Sequence, residues 1–229
     1  MSSIAIFGAG GRAGRAVAAE ARRRGHRVTS VVRDPDRHPD LTGAVRGDVT
    51  DPRSVSAIVP DHDAVVHAVS PASGPAALAT LDLDPDFFAK AADALLHGLA
   101  RGGVPRLVVI GLFANLTDAH GRLLLDDPAV FPVELRPFAL AHTAGLDRLR
   151  AAGTTVDWLM LTPPVQLRVD GPRTGRYRIG GEVAPDPESG QLSYADLAVA
   201  VVDEIETPRH HRSRVSVFGD GRSAGGDGS

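Results

Sequence analysis

The chain has 229 residues, with 25 lysines and arginines against 28 aspartates and glutamates, a net charge of −3. That balance provides no field for nucleic acid, and 43% hydrophobic with 23% charged residues describes a globular body with no apolar run of transmembrane length. There is no cysteine, so disulfides and thiolate catalysis are excluded; a core strand begins at once with no signal peptide ahead of it, and the expected location is the cytoplasm.

Ile4-Ala5-Ile6-Phe7 reads as a buried strand. It runs into Gly8-Ala9-Gly10-Gly11-Arg12-Ala13-Gly14, and an alanine-rich segment follows. The glycines fit two spacings, Gly8-x-Gly10-x-x-x-Gly14 and Gly8-x-x-Gly11-x-x-Gly14. Either asks for the same physics: early glycines let the backbone turn and approach a pyrophosphate, the last lets a helix pack close to the strand, and the helix N-terminus offers N–H groups to the anion. A helix is expected over 15–24, with Val17, Ala18 and Ala21 on one face, arginines in its last turn and Gly25 at its end. Residues 28–32 form the second strand, and Arg33-Asp34-Pro35 follows. A strand tip at this distance from the glycines meets the adenosine ribose; an acid there binds the ribose hydroxyls, whereas a planar cation such as Arg33 suits a 2′-phosphate. Arg12 can close on the same phosphate, so NADP is the expected cofactor.

A short third strand leads into Gly47-Asp48-Val49-Thr50-Asp51, where Asp48 and Val49 reach an adenine edge and Asp51 or Thr50 caps a helix over 52–59. Residues 62–69 are the fourth strand, with His67 read as a satisfied core histidine. An amphipathic helix is expected over 86–101, a strand over 106–111 and an irregular substrate-side loop over 117–133, where Asp126-Asp127-Pro128 reads as a helix start and not a metal site. A helix over 137–150, a strand over 155–161, a hairpin around Gly180-Gly181, a capping box Ser193-Tyr194-Ala195-Asp196 opening a helix to Glu206, and a strand over 214–218 complete the order. Residues 219–229 read as a disordered tail. Alternating strands and helices predict an α/β doubly wound parallel sheet. The expectation is a single Rossmann domain over 1–218, with 162–192 forming much of a small C-terminal substrate-side lobe.

The chain resembles the atypical short-chain dehydrogenase/reductases, in particular the NAD(P)H-binding group with NmrA-like and flavin-reductase-like proteins. The resemblance rests on the glycine cluster, Val31-Val32-Arg33-Asp34-Pro35, Gly47-Asp48-Val49-Thr50-Asp51, Arg106-Leu107-Val108-Val109-Ile110-Gly111, Leu161-Thr162-Pro163-Pro164, Thr174-Gly175-Arg176-Tyr177 and Ser193-Tyr194-Ala195-Asp196-Leu197-Ala198, in the family's order. It implies that Gly8, Gly10, Gly11, Arg12, Ala13 and Gly14 hold the pyrophosphate side and Arg33 the 2′-phosphate of NADPH. It further implies that Asp48 and Val49 flank adenine, that Ala68, Val69 and Ser70 line the cofactor's middle, and that Gly111 and Pro163 lie near the nicotinamide.

The chain departs from conventional members where chemistry would sit. There is no Tyr-x-x-x-Lys: the two tyrosines are Tyr177 and Tyr194, and the lone lysine is Lys90. The nearest echo is Phe138-x-x-x-His142, with His142 as a proton donor or ribose ligand. Asn115 stands where relatives carry a serine and can only hydrogen-bond, and Tyr177 is an alternative acid. Leu112, Phe113, Phe131, Phe138 and Trp158 suit a flat apolar small-molecule substrate, a quinone, flavin or enone. Two other readings stand beside this reductase: a cofactor-sensing regulator without turnover, and a non-redox cyclase or isomerase on the same fold.

Overall fold

The computed structural model describes residues 1–71, 74–185 and 190–220; positions 221–229 of the expected tail lie outside them. The first strand, β1 (Ser3–Phe7), turns at the glycine cluster into α1 (Arg12–Arg23) and returns as β2 (Arg27–Val32). The two-residue β3 (Val45–Arg46), α2 (Pro52–Ile58) and β4 (Ala64–His67) follow. Next come α3 (Pro75–Ala79), α4 (Phe87–Gly102) and β5 (Arg106–Ile110), then α5 (Arg136–Ala151) and β6 (Asp157–Thr162). The chain closes with β7 (Leu167–Arg168), β8 (Arg178–Gly180), β9 (Leu192–Ser193), α6 (Tyr194–Glu206) and β10 (Ser213–Phe218).

Eight strands form one sheet in the order β3-β2-β1-β4-β5-β6-β10-β8. All neighbours are parallel except β8, which runs antiparallel to β10. A parallel sheet with connecting helices needs apolar residues on both faces, and β1 supplies them. Ala5 and Phe7 join a core with Val55 of α2, Leu95 and Leu99 of α4 and Leu146 of α5. Ile4 and Ile6 join another with Val17 and Ala21 of α1 and Leu197 and Val201 of α6. Each such fully buried Leu, Ile or Phe contributes on the order of 1.5–3 kcal/mol. The chain order reverses between β1 and β4, and the crevice there, at the strands' C-terminal ends, is where this architecture takes ligands.

Several local expectations change. Helix α1 opens at Arg12, because Gly11 is already extended as its N-cap and its carbonyl accepts the Arg15 N–H at 2.9 Å. The hairpin around Gly180-Gly181 does not form. Residues 178–180 instead pair with β10, where the missing Gly180 side chain leaves room for Ser216, and Val183 bridges to Thr117. Asp126-Asp127-Pro128 starts no α-helix: Leu124–Asp126 is a single 3-10 turn, Asp127 accepts the Ala129 N–H at 2.9 Å and Asp126 pairs with Arg136. The half-expected cap of α2 is Asp51, which accepts the Arg53 N–H at 2.9 Å.

Candidate active site

The glycine turn shows what each missing side chain is for. Gly8 has φ +85°, and a Cβ there would sit 2.5 Å from the Ala68 carbonyl oxygen, beyond the end of β4. Its N–H donates to the Val31 carbonyl at 3.0 Å, which ties the turn to β2. A Cβ on Gly14 would collide with the Gly8 carbonyl, so only glycine lets α1 approach this closely. Gly11 is exposed, and the N–H groups of Arg12, Ala13 and Gly14 have no partner among the described residues. Those amides are the anion-binding feature of a helix start. Gly10 differs: its vacant side faces the His38 ring, not open space.

The strand tips complete the crevice. Arg33 lies exposed just past β2, and among the described residues its guanidinium has no partner, nor has that of Arg12. The surface pairing that would make Arg33 structural is made by Arg46, which reaches Asp34 at 3.3 Å and Asp36 at 3.7 Å. Asp48 holds its own turn, accepting the Thr50 N–H at 2.9 Å and hydroxyl at 2.7 Å, while Val49 is buried in the core. Ala68 donates to the Phe7 carbonyl at 2.9 Å, which places 68–70 beside the glycine turn; Val69 packs on the core and Ser70 is exposed. Gly111 bonds the Leu161 carbonyl at 2.8 Å and packs against Thr162, next to the buried Pro163.

The three acid or positioning candidates are not brought together. Tyr177 packs against the α1–α6 face, and its hydroxyl donates to Asp203 at 2.6 Å. Burial and that carboxylate raise its pKa above the usual phenol range, so it is a poor acid. Asn115 is buried, and its amide donates to the Ala139 carbonyl at 2.9 Å and to Thr143 Oγ1 at 2.6 Å. It clamps the 113–115 turn onto α5, leaving only its Oδ1 unpartnered. Sequence reasoning overlooked Thr143; its spacing of four from Ala139 on one helix is the signal that could have found it. His142 stacks on Phe88 with ring centroids 3.7 Å apart and meets Phe138 edge-on at 4.9 Å. Its ring has no hydrogen-bond partner among the described residues, and burial, aided by His67, lowers its pKa to about 3.

His67 corrects a sequence expectation. It is buried at the C-terminal end of β4, but its Nδ1 has no partner among the described residues, and desolvation lowers its pKa to about 4. His67, Phe88, Val109, His142 and Met160 line one small, largely apolar cavity beneath the crevice. Leu78, Leu83, Phe87 and Leu112 pack around Phe88 and Phe138 beside it. Among the described residues no three His, Asp or Glu side chains gather as a metal site, and no helix is long and apolar enough to cross a membrane.

A parallel sheet in this order, with a positive-φ glycine turn at its reversal point and free amides on the helix behind it, defines a dinucleotide-binding Rossmann protein. The NAD(P)H-binding family model matches residues 8–208, and the chain belongs to that family. The Bacillus subtilis protein YwnB is 32% identical over 95% of this chain and 98% of its own. A Streptococcus pneumoniae protein provisionally named an NADH-flavin reductase is 31% identical over 96% of this chain and 100% of its own, with a TM-score of 0.78. A Bacteroides thetaiotaomicron protein provisionally named an epimerase is 28% identical over 95% of this chain and 96% of its own, with a TM-score of 0.79.

Proposed function

We propose that the chain is an NADPH-dependent oxidoreductase that reduces a flat apolar acceptor, a quinone, flavin or enone, in the cytoplasm. The carrying observation is that, among the described residues, none of the candidate acids stands free in the crevice. Tyr177 is engaged by Asp203, Asn115 by α5, and His142 is held neutral in an apolar niche. The residues fit a nicotinamide dinucleotide: the free amides of Arg12, Ala13 and Gly14 face the pyrophosphate, Arg12 and Arg33 the 2′-phosphate, Asp48 and Val49 the adenine side, and Ala68, Val69, Ser70, Gly111 and Pro163 the rest. Bound there, the nicotinamide supplies a hydride. The chain positions the acceptor against Leu112, Phe87 and Phe138; water protonates the reduced product, and neutral His142 donates a hydrogen bond that stabilises its anion. A quinone, flavin or enone suits such a site, because its hydride adduct is a delocalised anion that needs no strong acid. The flavin-reductase name of the pneumococcal relative supports the same acceptor class.

The test is NADPH oxidation against a panel of quinones, free flavins and enones, with His142→Phe alongside. Turnover with at least one acceptor, reduced about tenfold or more in the variant, is the expected result. A second reading, a cofactor-binding regulator without turnover, is favoured by the missing Tyr-x-x-x-Lys. Tight NADPH binding with no oxidation across the panel would select it.

A further inference from the structure

Gly10 is the turn glycine whose vacancy is filled. A Cβ there would meet His38 Cε1 and Nε2 at 2.5 Å and Nδ1 at 2.9 Å, so the nitrogen-bearing edge of the imidazole lies on the glycine turn. Neither ring nitrogen has a hydrogen-bond partner among the described residues, and the ring is only half-buried. The backbone around it is fastened. His38 N–H donates to the Pro35 carbonyl at 2.9 Å, and its carbonyl accepts from Leu41 at 2.9 Å. Arg15 then bonds the Gly10 carbonyl through Nε at 2.9 Å while its guanidinium grips Asp40. One arginine therefore clips the 34–41 loop to the turn and fixes His38 over Gly10.

The charges around this point are sorted. Arg15 is neutralised by Asp40, and Arg46 by Asp34 and Asp36. Arg12, at the start of α1, and Arg33, at the tip of β2, have no carboxylate partner among the described residues. Both lie on elements that the Gly8 and Ala9 N–H bonds to Val31 hold together. Two cations without carboxylate partners and an imidazole without a hydrogen-bond partner, among the described residues, thus all border the glycine turn and the tip of β2.

We infer that His38 is a specificity-determining residue of the cofactor site: its ring, seated in the space Gly10 leaves, hydrogen-bonds the phosphate on the adenosine 2′-oxygen and so favours NADP(H) over NAD(H). This rests on the NADP reading above, and it assigns Gly10 a purpose distinct from pyrophosphate approach. His38→Leu keeps the packing against Gly10 and removes the N–H, whereas His38→Gln restores a donor.

Dissociation constants for NADPH, NADH, adenosine 2′-monophosphate and adenosine 5′-monophosphate are measured by calorimetry for wild type, His38→Leu, His38→Gln and Arg33→Ala. His38→Leu is expected to weaken NADPH and the 2′-monophosphate by about five- to thirtyfold, the loss of one charge-assisted hydrogen bond, with NADH and the 5′-monophosphate unchanged and His38→Gln recovering most of the loss. If His38→Leu binds NADPH as wild type does, or weakens NADPH and NADH alike, the proposal falls. If wild type itself binds NADH as tightly as NADPH, the NADP reading falls and takes the proposal with it. Selectivity lost in Arg33→Ala but kept in His38→Leu sinks the His38 assignment alone.

Discussion

At the scale of single residues, four glycines in one turn do different work, and substitution separates them. Gly8→Ala forces an alanine into a left-handed conformation and its Cβ into the Ala68 carbonyl. The strain alone is about 1–2 kcal/mol, and the turn must shift to relieve the contact. Expected is a fall in thermal midpoint and loss of cofactor binding together. Gly10→Ala displaces only the far end of a histidine side chain. It should unfold at the wild-type temperature and lose selectivity between NADPH and NADH, a difference that paired thermal melts and titrations will detect. The sequence spacing alone left Gly10 and Gly11 interchangeable, because φ and side-chain neighbours are not encoded in a motif. The catalytic candidates were less legible for the same reason. Tyr177 is a tyrosine near a substrate-side segment in sequence, yet its hydroxyl is held by Asp203 on the opposite face of the sheet. Tyr177→Phe should therefore keep turnover and lose only about 1 kcal/mol of stability, the net worth of one hydrogen bond; a collapse of kcat with stability intact would return it to the active site.

At the scale of elements, strands and long helices were readable because their periods are local. The runs 4–7, 106–110 and 157–161 and the stripe Ala91-Leu95-Leu99 declare themselves without knowledge of neighbours. The helix to Glu206 and the strand over 214–218 were equally readable, but the stretch 162–192 was not, because its short strands exist only through long-range pairing. Leu167 meets Leu192, and Ile179 meets Val217. Two carboxylates secure this region. Asp196, expected to close a capping box, instead accepts the N–H groups of Thr174 and Gly175 at 2.8 Å each and the Thr174 hydroxyl at 2.7 Å. Only Ser193 caps α6, through the Asp196 N–H at 2.9 Å. Glu20, buried on α1, accepts from Arg173 at 2.8 Å and also from Arg23 and Arg24; Arg24 continues to Asp203 and Glu206 on α6. The guanidinium of Arg173, followed by those of Arg23 and Arg24, holds the Glu20 carboxyl well below the usual carboxylate range. Arg23 and Arg173 reach solvent and Arg24 keeps Asp203 and Glu206, so Glu20→Ala should cost only about 1 kcal/mol. It should also release the 170–177 segment. Proteolysis of the variant is expected to cut near Arg173 before the sheet is attacked; cleavage spread evenly over the chain would mean the clasp does not hold that segment.

For the whole molecule, the two histidines of the internal cavity make stability depend on pH in a window set by their environment. His67 and His142 come from different strands and helices, and both face the same apolar lining of Phe88, Val109 and Met160. Burial lowers their pKa values to about 4 and about 3, with the charge of His67 adding to the shift at His142. In the unfolded chain an imidazole titrates near 6.5. Between these limits the unfolded state binds protons that the folded state refuses, so stability is full near neutrality and declines as the pH falls below about 6.5. At pH 5 the linkage amounts to on the order of 2 kcal/mol for each histidine, a large share of the marginal stability of any domain. Glu20 works in the same direction in a lower window, because its carboxylate must be protonated below the usual carboxylate range before its contribution is lost. The two windows can be separated. Urea midpoints of the wild type should drop steeply from pH 7 to pH 5, while a variant with His67→Phe and His142→Phe, filling the same apolar space with rings that do not titrate, should be nearly flat until the carboxylates protonate. A wild-type profile flat to pH 5, or a double variant with an unchanged slope, would show that the cavity admits water and charge, and the neutral-imidazole basis of the proposed acceptor class would fail with it.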